Sequence, residues 1–229
     1  MKKHTTIALT LTLAVAAAFS AGAFAAPAPD TGASAAPAVP PGYGEKVDMK
    51  YDALATETPL RVVQTGTCRV HIVPAVDARQ NKETIGASGS GALLVEDVSP
   101  WMSEGLTHLR DYGYVVSEIA DGAPAPAEGV TIRTSVTRAF TWQIGLKLFS
   151  MVALKAEFLD RNGVLETKYY RAHGDKTNMW GANAEYVTTL NYGLNNMLAF
   201  IARDLQSLCK GEKVEEYTYA GPDGVPQTK

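Results

Sequence analysis

The strongest structural constraint in this sequence of 229 residues is a long apolar stripe near its C-terminal end. Between residues 187 and 208, large aliphatic side chains recur at spacings of three and four: Val187, Leu190, Leu194, Leu198, Ile201, Leu205 and Leu208. This spacing is typical of an amphipathic α-helix with one buried face. Because such a face must be covered along its whole length, we expect the helix to lie on a sheet.

The residues that precede this helix supply the strands. Alternating or continuous apolar patterns predict strands over residues 69–73, 114–119, 130–137, 149–159 and 164–172. Residues 160–163, Asp-Arg-Asn-Gly, are typical of a hairpin turn. Ser99 and Pro100 indicate the start of a second helix, and Gly113 its end. Residues 77–91 are polar and rich in glycine, which predicts a long loop.

These elements predict an α+β fold. We expect a two-layer sandwich in which a mainly antiparallel sheet of four to five strands carries two helices on one face, in the order β-α-β-β-β-α, or β-α-β-β-β-β-α if all five strands form.

Both ends of the chain differ from this core in composition. Lys2 and Lys3, an uncharged run and the small residues at 23 and 25 have the pattern of a cleavable secretory signal. The chain is predicted to divide into a signal peptide, an Ala/Pro-rich linker, a single α/β domain and a flexible tail: residues 1–25, 26–60, 61–210 and 211–229. We therefore expect a periplasmic protein with no transmembrane segment in its mature chain.

Charge limits the classes of partner. The whole chain has 21 basic and 24 acidic residues, and loss of Lys2 and Lys3 with the signal leaves a net charge of −5. A nucleic-acid surface needs a dense basic patch, so we expect no nucleic-acid partner. The same balance disfavours simple electrostatic binding to anionic lipid.

The two cysteines, Cys68 and Cys209, are expected to pair, because exported proteins fold in an oxidising compartment. A loop of this length would contribute about 4–5 kcal/mol in the chain-entropy model. The alternative is two independent buried thiols.

No catalytic arrangement is evident, and we expect no enzymatic activity. His71, His108 and His173 have no second ligand at a metal-like spacing, so neither a metal nor a cofactor is predicted. The glycine-rich residues 86–91 lack the lysine of a phosphate-binding loop. The sequence also has no Gly-x-Ser-x-Gly motif.

Large apolar residues outside the regular patterns are the candidate interaction residues: Trp142, Ile144, Phe149 and Trp180. The first three lie in the segment 140–149, which we interpret as a hairpin tip with exposed aromatics. The alternative is that the helices cover them. Asp77 and Arg79 follow a predicted strand directly and are interpreted as polar residues that anchor the following loop.

Short motifs in the same order resemble the YajG-like family of envelope lipoproteins and, more distantly, the auxiliary lipoproteins of ABC-type envelope transporters. The matching residues are 71–73, 77–79, 85–86, 109–114, 169–172 and 201–204, within a region of about 68–208. The chain departs from that family because no cysteine follows the signal, so we expect no N-terminal lipid.

These observations predict an accessory or binding protein of the cell envelope that engages another envelope protein. The alternative is a lipid- or small-molecule-binding module with a pocket between sheet and helices, lined by residues such as Phe158, Tyr170 and Leu194.

Overall fold

The computed structural model describes residues 44–55, 68–178, 182–214, 217–220 and 226–228. The predicted signal peptide, much of the predicted linker and Trp180 lie outside these residues. The strands are β1 Gly44–Lys46, β2 Arg69–Ile72, β3 Val76–Asp77, β4 Thr84–Ser88, β5 Gly91–Leu94, β6 Val115–Glu118, β7 Val130–Ile144, β8 Lys147–Asp160, β9 Gly163–Thr177, β10 Tyr217–Ala220 and β11 Pro226–Thr228. The helices are α1 Ser99–Thr107, which continues into a 3₁₀ turn over His108–Tyr112, and α2 Ala184–Cys209.

Three long strands form one side of the sheet, and β9 is its edge. β7, β8 and β9 are consecutive, antiparallel and 14 or 15 residues long. The turn between β7 and β8 contains Gly145 at φ +59°, a left-handed conformation that glycine adopts without strain. β7 and β8 extend beyond the predicted ranges towards this turn, and β9 extends beyond its predicted end.

Three short strands lie one after another along the other edge of β7, and all are parallel to it. Val70 of β2 pairs with Val130, β3 follows, and Gly86 of β4 pairs with Thr141. A Cβ atom on Gly86 would lie 2.2 Å from the carbonyl oxygen of Thr141, so only glycine permits this approach. Residues 69–88 therefore follow β7 along most of its length.

Further strands widen the sheet at both ends of this edge. β6 pairs parallel to β2, β5 pairs antiparallel to β4, and β1 pairs parallel to β5. Within the described residues, the result is a mixed sheet of nine strands, and β10 and β11 pair antiparallel as a separate two-stranded sheet. The predicted helices are present, but the prediction of a mainly antiparallel sheet of four to five strands was wrong. Residues 77–91, predicted to be a loop, contain β4, which is too short and polar to show an alternating pattern.

Both helices pack on one face of the sheet. The Ser150 hydroxyl of β8 donates a hydrogen bond to the Thr189 carbonyl of α2 at 2.6 Å. A Cβ atom on Gly174 would lie 2.4 Å from that same carbonyl, so α2 approaches β9 closely at this point. Leu194 of α2 packs against Gly105 of α1. The apolar stripe of α2 is thereby buried in one core with the sheet.

The segment 44–55 crosses the helices and is held by two buried asparagines of α2. The Asn191 amide donates to the Lys50 carbonyl at 3.0 Å, and the Asn195 amide donates to the carbonyls of Asp52 and Ala55 at 3.0 and 2.6 Å. We call residues 44–55 the strap.

A disulfide joins Cys68, directly before β2, to Cys209, the last residue of α2, with Cα atoms 5.9 Å apart. It connects the start of β2 to the end of the helix that covers the sheet, which is the pairing expected from the two cysteines.

Candidate interaction surface

The face of β7, β8 and β9 that points away from the helices is open to solvent. On β8, Leu148, Val152 and Phe158 point to the helices and are fully buried, whereas the residues of the opposite parity, such as Phe149 and Met151, are partly exposed. This alternation is the normal consequence of strand geometry when only one face of a sheet is covered. We call the uncovered side of these three strands the open face.

A β-bulge at Thr137 decides which side chains of β7 reach the open face. Val136 and Arg138 lie opposite consecutive residues of β8, so Thr137 has no partner of its own. Because of this extra residue, Val136 and Ala139 both point to the core, and both are buried. Without the bulge, strict alternation would turn Arg138 and the aromatics after it towards the helices.

The bulge places an aromatic row on the open face. Trp142 lies between Phe140 and Phe149, with near-parallel rings and centroid distances of 6.3 and 5.7 Å. Met151 lies opposite Phe140 on β8, and Ile144 continues the row to the end of β7. We call Phe140, Trp142, Ile144, Phe149 and Met151 the hairpin patch.

The hairpin patch is accessible. Phe140 is 43% exposed and Ile144 is 65% exposed, while Leu146 in the adjoining turn is 69% exposed. Trp142, Phe149 and Met151 are half-buried. Contiguous exposed apolar side chains of this kind mark interaction sites on soluble proteins.

Charged residues surround the hairpin patch. Lys147 and Lys155 form ion pairs with Asp175 and Glu157, at 2.9 and 2.5 Å. The Arg138 guanidinium lies 3.9 Å from the sulfur of Met151. The open face thus combines aromatic, methionine and arginine side chains, the residue types that are enriched in protein interfaces.

The structure brings together three of the four residues predicted from sequence to form an interaction site. Trp142, Ile144 and Phe149 share the open face, and Trp180 lies outside the described residues. Sequence reasoning missed Met151 and Arg138. The only available signal was the spacing of three between Val136 and Ala139, which interrupts the alternation and indicates a bulge.

Asp77, which pairs with Val136 of β7, forms a buried ion pair of 2.8 Å with Arg79. Arg79 also donates to the carbonyls of Lys82 and Thr84, and so ties β3 to the start of β4. Burial opposes ionisation of Asp77, but the hydrogen bonds from Arg79 outweigh it and hold the pKa of that carboxyl below its ordinary value.

The residues expected to line a ligand pocket are part of the core. Phe158 and Leu194 are fully buried, and Tyr170 packs edge-on against Phe158 with a centroid distance of 6.4 Å. The Tyr170 hydroxyl donates to the Asp204 carboxylate at 2.5 Å. Within the described ranges, no group of three His, Cys, Asp or Glu side chains could hold a metal ion.

No known protein family and no curated protein matches this sequence. Among solved structures, a DUF330 protein from Xanthomonas campestris is 9% identical, with a TM-score of 0.44 and 69% of this chain and 92% of that chain covered. A minor lipoprotein from Acinetobacter baumannii is 11% identical, with a TM-score of 0.38 and coverages of 61% and 92%. The PelC dodecamer from Paraburkholderia phytofirmans is 13% identical, with a TM-score of 0.38 and coverages of 57% and 86%.

At these TM-scores the similarities do not assign the chain to a family, and the resemblance to YajG-like lipoproteins stays a prediction. A search of the helices in the described part of the chain finds none that is both long and apolar enough to span a membrane.

Proposed function

We propose that this chain is an exported accessory protein of the bacterial envelope that binds another envelope protein through the hairpin patch. The observation that carries the proposal is the aromatic row Phe140, Trp142 and Phe149 on the open face of the sheet. Large aromatic side chains that are partly shielded by their neighbours are the usual anchors of protein interfaces.

The export signal in residues 1–25 and the disulfide between Cys68 and Cys209 support the envelope as the site of action. We further propose that the protein acts by binding and not by catalysis, because its sequence contains no positioned nucleophile or base. A lipid- or small-molecule-binding role has less support, since Phe158, Tyr170 and Leu194 are packed in the core.

In-cell crosslinking of the tagged mature chain, followed by mass spectrometry, tests this function. We expect one abundant envelope protein to be captured by the wild type and lost, by about ten-fold or more, in Trp142→Ala, as for truncation of an interface anchor. Leu54→Ala is the matched control, because Leu54 is an apolar residue of the strap that is 88% exposed. Equal capture by all three proteins would contradict the proposal.

A further inference from the structure

Two arginines flank a small residue next to the hairpin patch. Ala153 of β8 pairs with Arg138 of β7 on one side and with Arg171 of β9 on the other. All three residues point to the open face, and both arginines are exposed. Since neighbouring strands are about 4.8 Å apart, the two arginine Cα atoms are separated by roughly 10 Å. Both guanidinium groups can therefore reach one group that lies over the Ala153 methyl.

Neither arginine forms an ion pair with another described residue. The acidic residues of β8 and β9 on this face, Glu157 and Asp175, already form ion pairs with lysines. Within the described residues, Arg138 and Arg171 take part in no ion pair, and the contact of Arg138 with Met151 adds no negative charge. Two like charges on either side of one alanine repel each other, so this arrangement favours an anion from outside.

We propose that Arg138 and Arg171 form a binding site for a carboxylate side chain of the protein partner, with Ala153 as its floor. This inference rests on the proposed function and names the chemistry of its partner. Arginine presents a planar set of donors that matches a carboxylate bidentately, and two such groups can hold one carboxylate from opposite sides.

The surroundings favour a protein carboxylate over a lipid phosphate. Phe140 and Met151 occupy the neighbouring row, directly beside the arginines. A partner segment would thus place an apolar side chain on the hairpin patch and an acidic side chain over Ala153. The chain as a whole carries a net charge of −3, which opposes approach to an anionic bilayer.

Nuclear magnetic resonance of the arginine Nε–Hε groups in the mature chain tests the site directly, with a tetraglutamate peptide as the probe at low salt. We expect the Arg138 and Arg171 signals to shift together and to saturate. Arg171→Gln should weaken peptide binding about ten-fold or more, as for loss of a charge-assisted hydrogen bond. Arg203→Gln, which removes an exposed arginine from α2, should leave it unchanged.

Three results would overturn the proposal: no shift at Arg138 and Arg171, a shift of Arg203 of the same size, or sedimentation with phosphatidylglycerol vesicles that depends on Arg171. The last result would assign the arginines to a lipid headgroup. If partner capture depends on Trp142 while the peptide does not bind, the carboxylate site is wrong and the proposed function stands. If the peptide binds while capture does not depend on Trp142, the hairpin patch is wrong as the docking site.

Discussion

Alternating residues of the same three strands form the two faces of the β7–β9 sheet, and these faces differ in how deeply they are buried. On β8, Leu148 and Val152 are fully buried beneath α2, and Phe149 and Met151 alternate with them on the open face. Both faces are apolar near the β7–β8 turn, but in the described part of the chain the helices cover only one of them. Since the uncovered apolar side chains add little to the core, their presence points to binding.

The composition of the two faces supports the same distinction. The covered face combines aliphatic residues with the buried rings of Phe158 and Tyr170, and Gly174 lies where α2 approaches the sheet closely. The open face combines exposed aromatic rings with methionine and arginine side chains. The first set suits dense packing, and the second set is typical of protein interfaces.

Loss of the disulfide should have the largest effect on the covered face. In Cys68→Ser/Cys209→Ser, the free energy of unfolding should fall by about 4–5 kcal/mol, because the loop that it closes is long. Denaturant unfolding measures the change. Partner capture at temperatures where the variant remains folded should be unchanged, and loss of capture there would show that the two faces depend on each other.

Truncating one phenylalanine on each face compares the two directly. Phe158→Ala removes a fully buried ring and should lower the free energy of unfolding by about 3–5 kcal/mol. Phe149→Ala removes one stacked ring of the open face and should cost about 0.5–1.5 kcal/mol. Chemical denaturation of both variants gives the difference. Equal losses would mean that the open face is packed like the core.

The strap should become less stable when its contact with α2 is lost. Asn195→Ala removes the side-chain amide that donates to the strap carbonyls of Asp52 and Ala55. Because these buried groups are left unsatisfied, the free energy of unfolding should fall by about 2 kcal/mol. Hydrogen exchange should rise in residues 50–55 and stay unchanged in β7 and β8. If exchange rises equally in the hairpin patch, the strap is not an independent element.

The smallest effect on stability is expected for the arginines of the open face. Arg171→Gln should change the free energy of unfolding by less than about 0.5 kcal/mol, as for an exposed residue without an ion pair. Thermal unfolding measures it. A larger loss would assign Arg171 a structural role and weaken the case that it is retained for binding.

The sequence predicts the covered face well and the edge of the sheet poorly. The spacing of Leu190, Leu194 and Leu198 identifies α2, because burial of a helix face requires that period. The pairing of β4 with β7 could not be read from sequence, because it rests on the contact of Gly86 with Thr141 across 55 residues of chain. Non-local contacts of this kind leave no periodic pattern.

The candidate site was predictable in part for the same reason. Trp142 and Phe149 are large apolar residues near a glycine turn, which sequence alone can identify. The positions of Arg138, Ala153 and Arg171 in one row depend on the bulge and on the register of three strands. Only the structure brings them together.

The most direct test of the central claim is site-specific photocrosslinking in cells, with a benzophenone amino acid at position 140 on the open face or at position 203 on α2. Residue 140 lies in the hairpin patch, and Arg203 is exposed on the helix layer. The account predicts that one envelope protein crosslinks from position 140 and that Trp142→Ala abolishes this product, with none from position 203. Capture of the same protein from position 203 alone would contradict it.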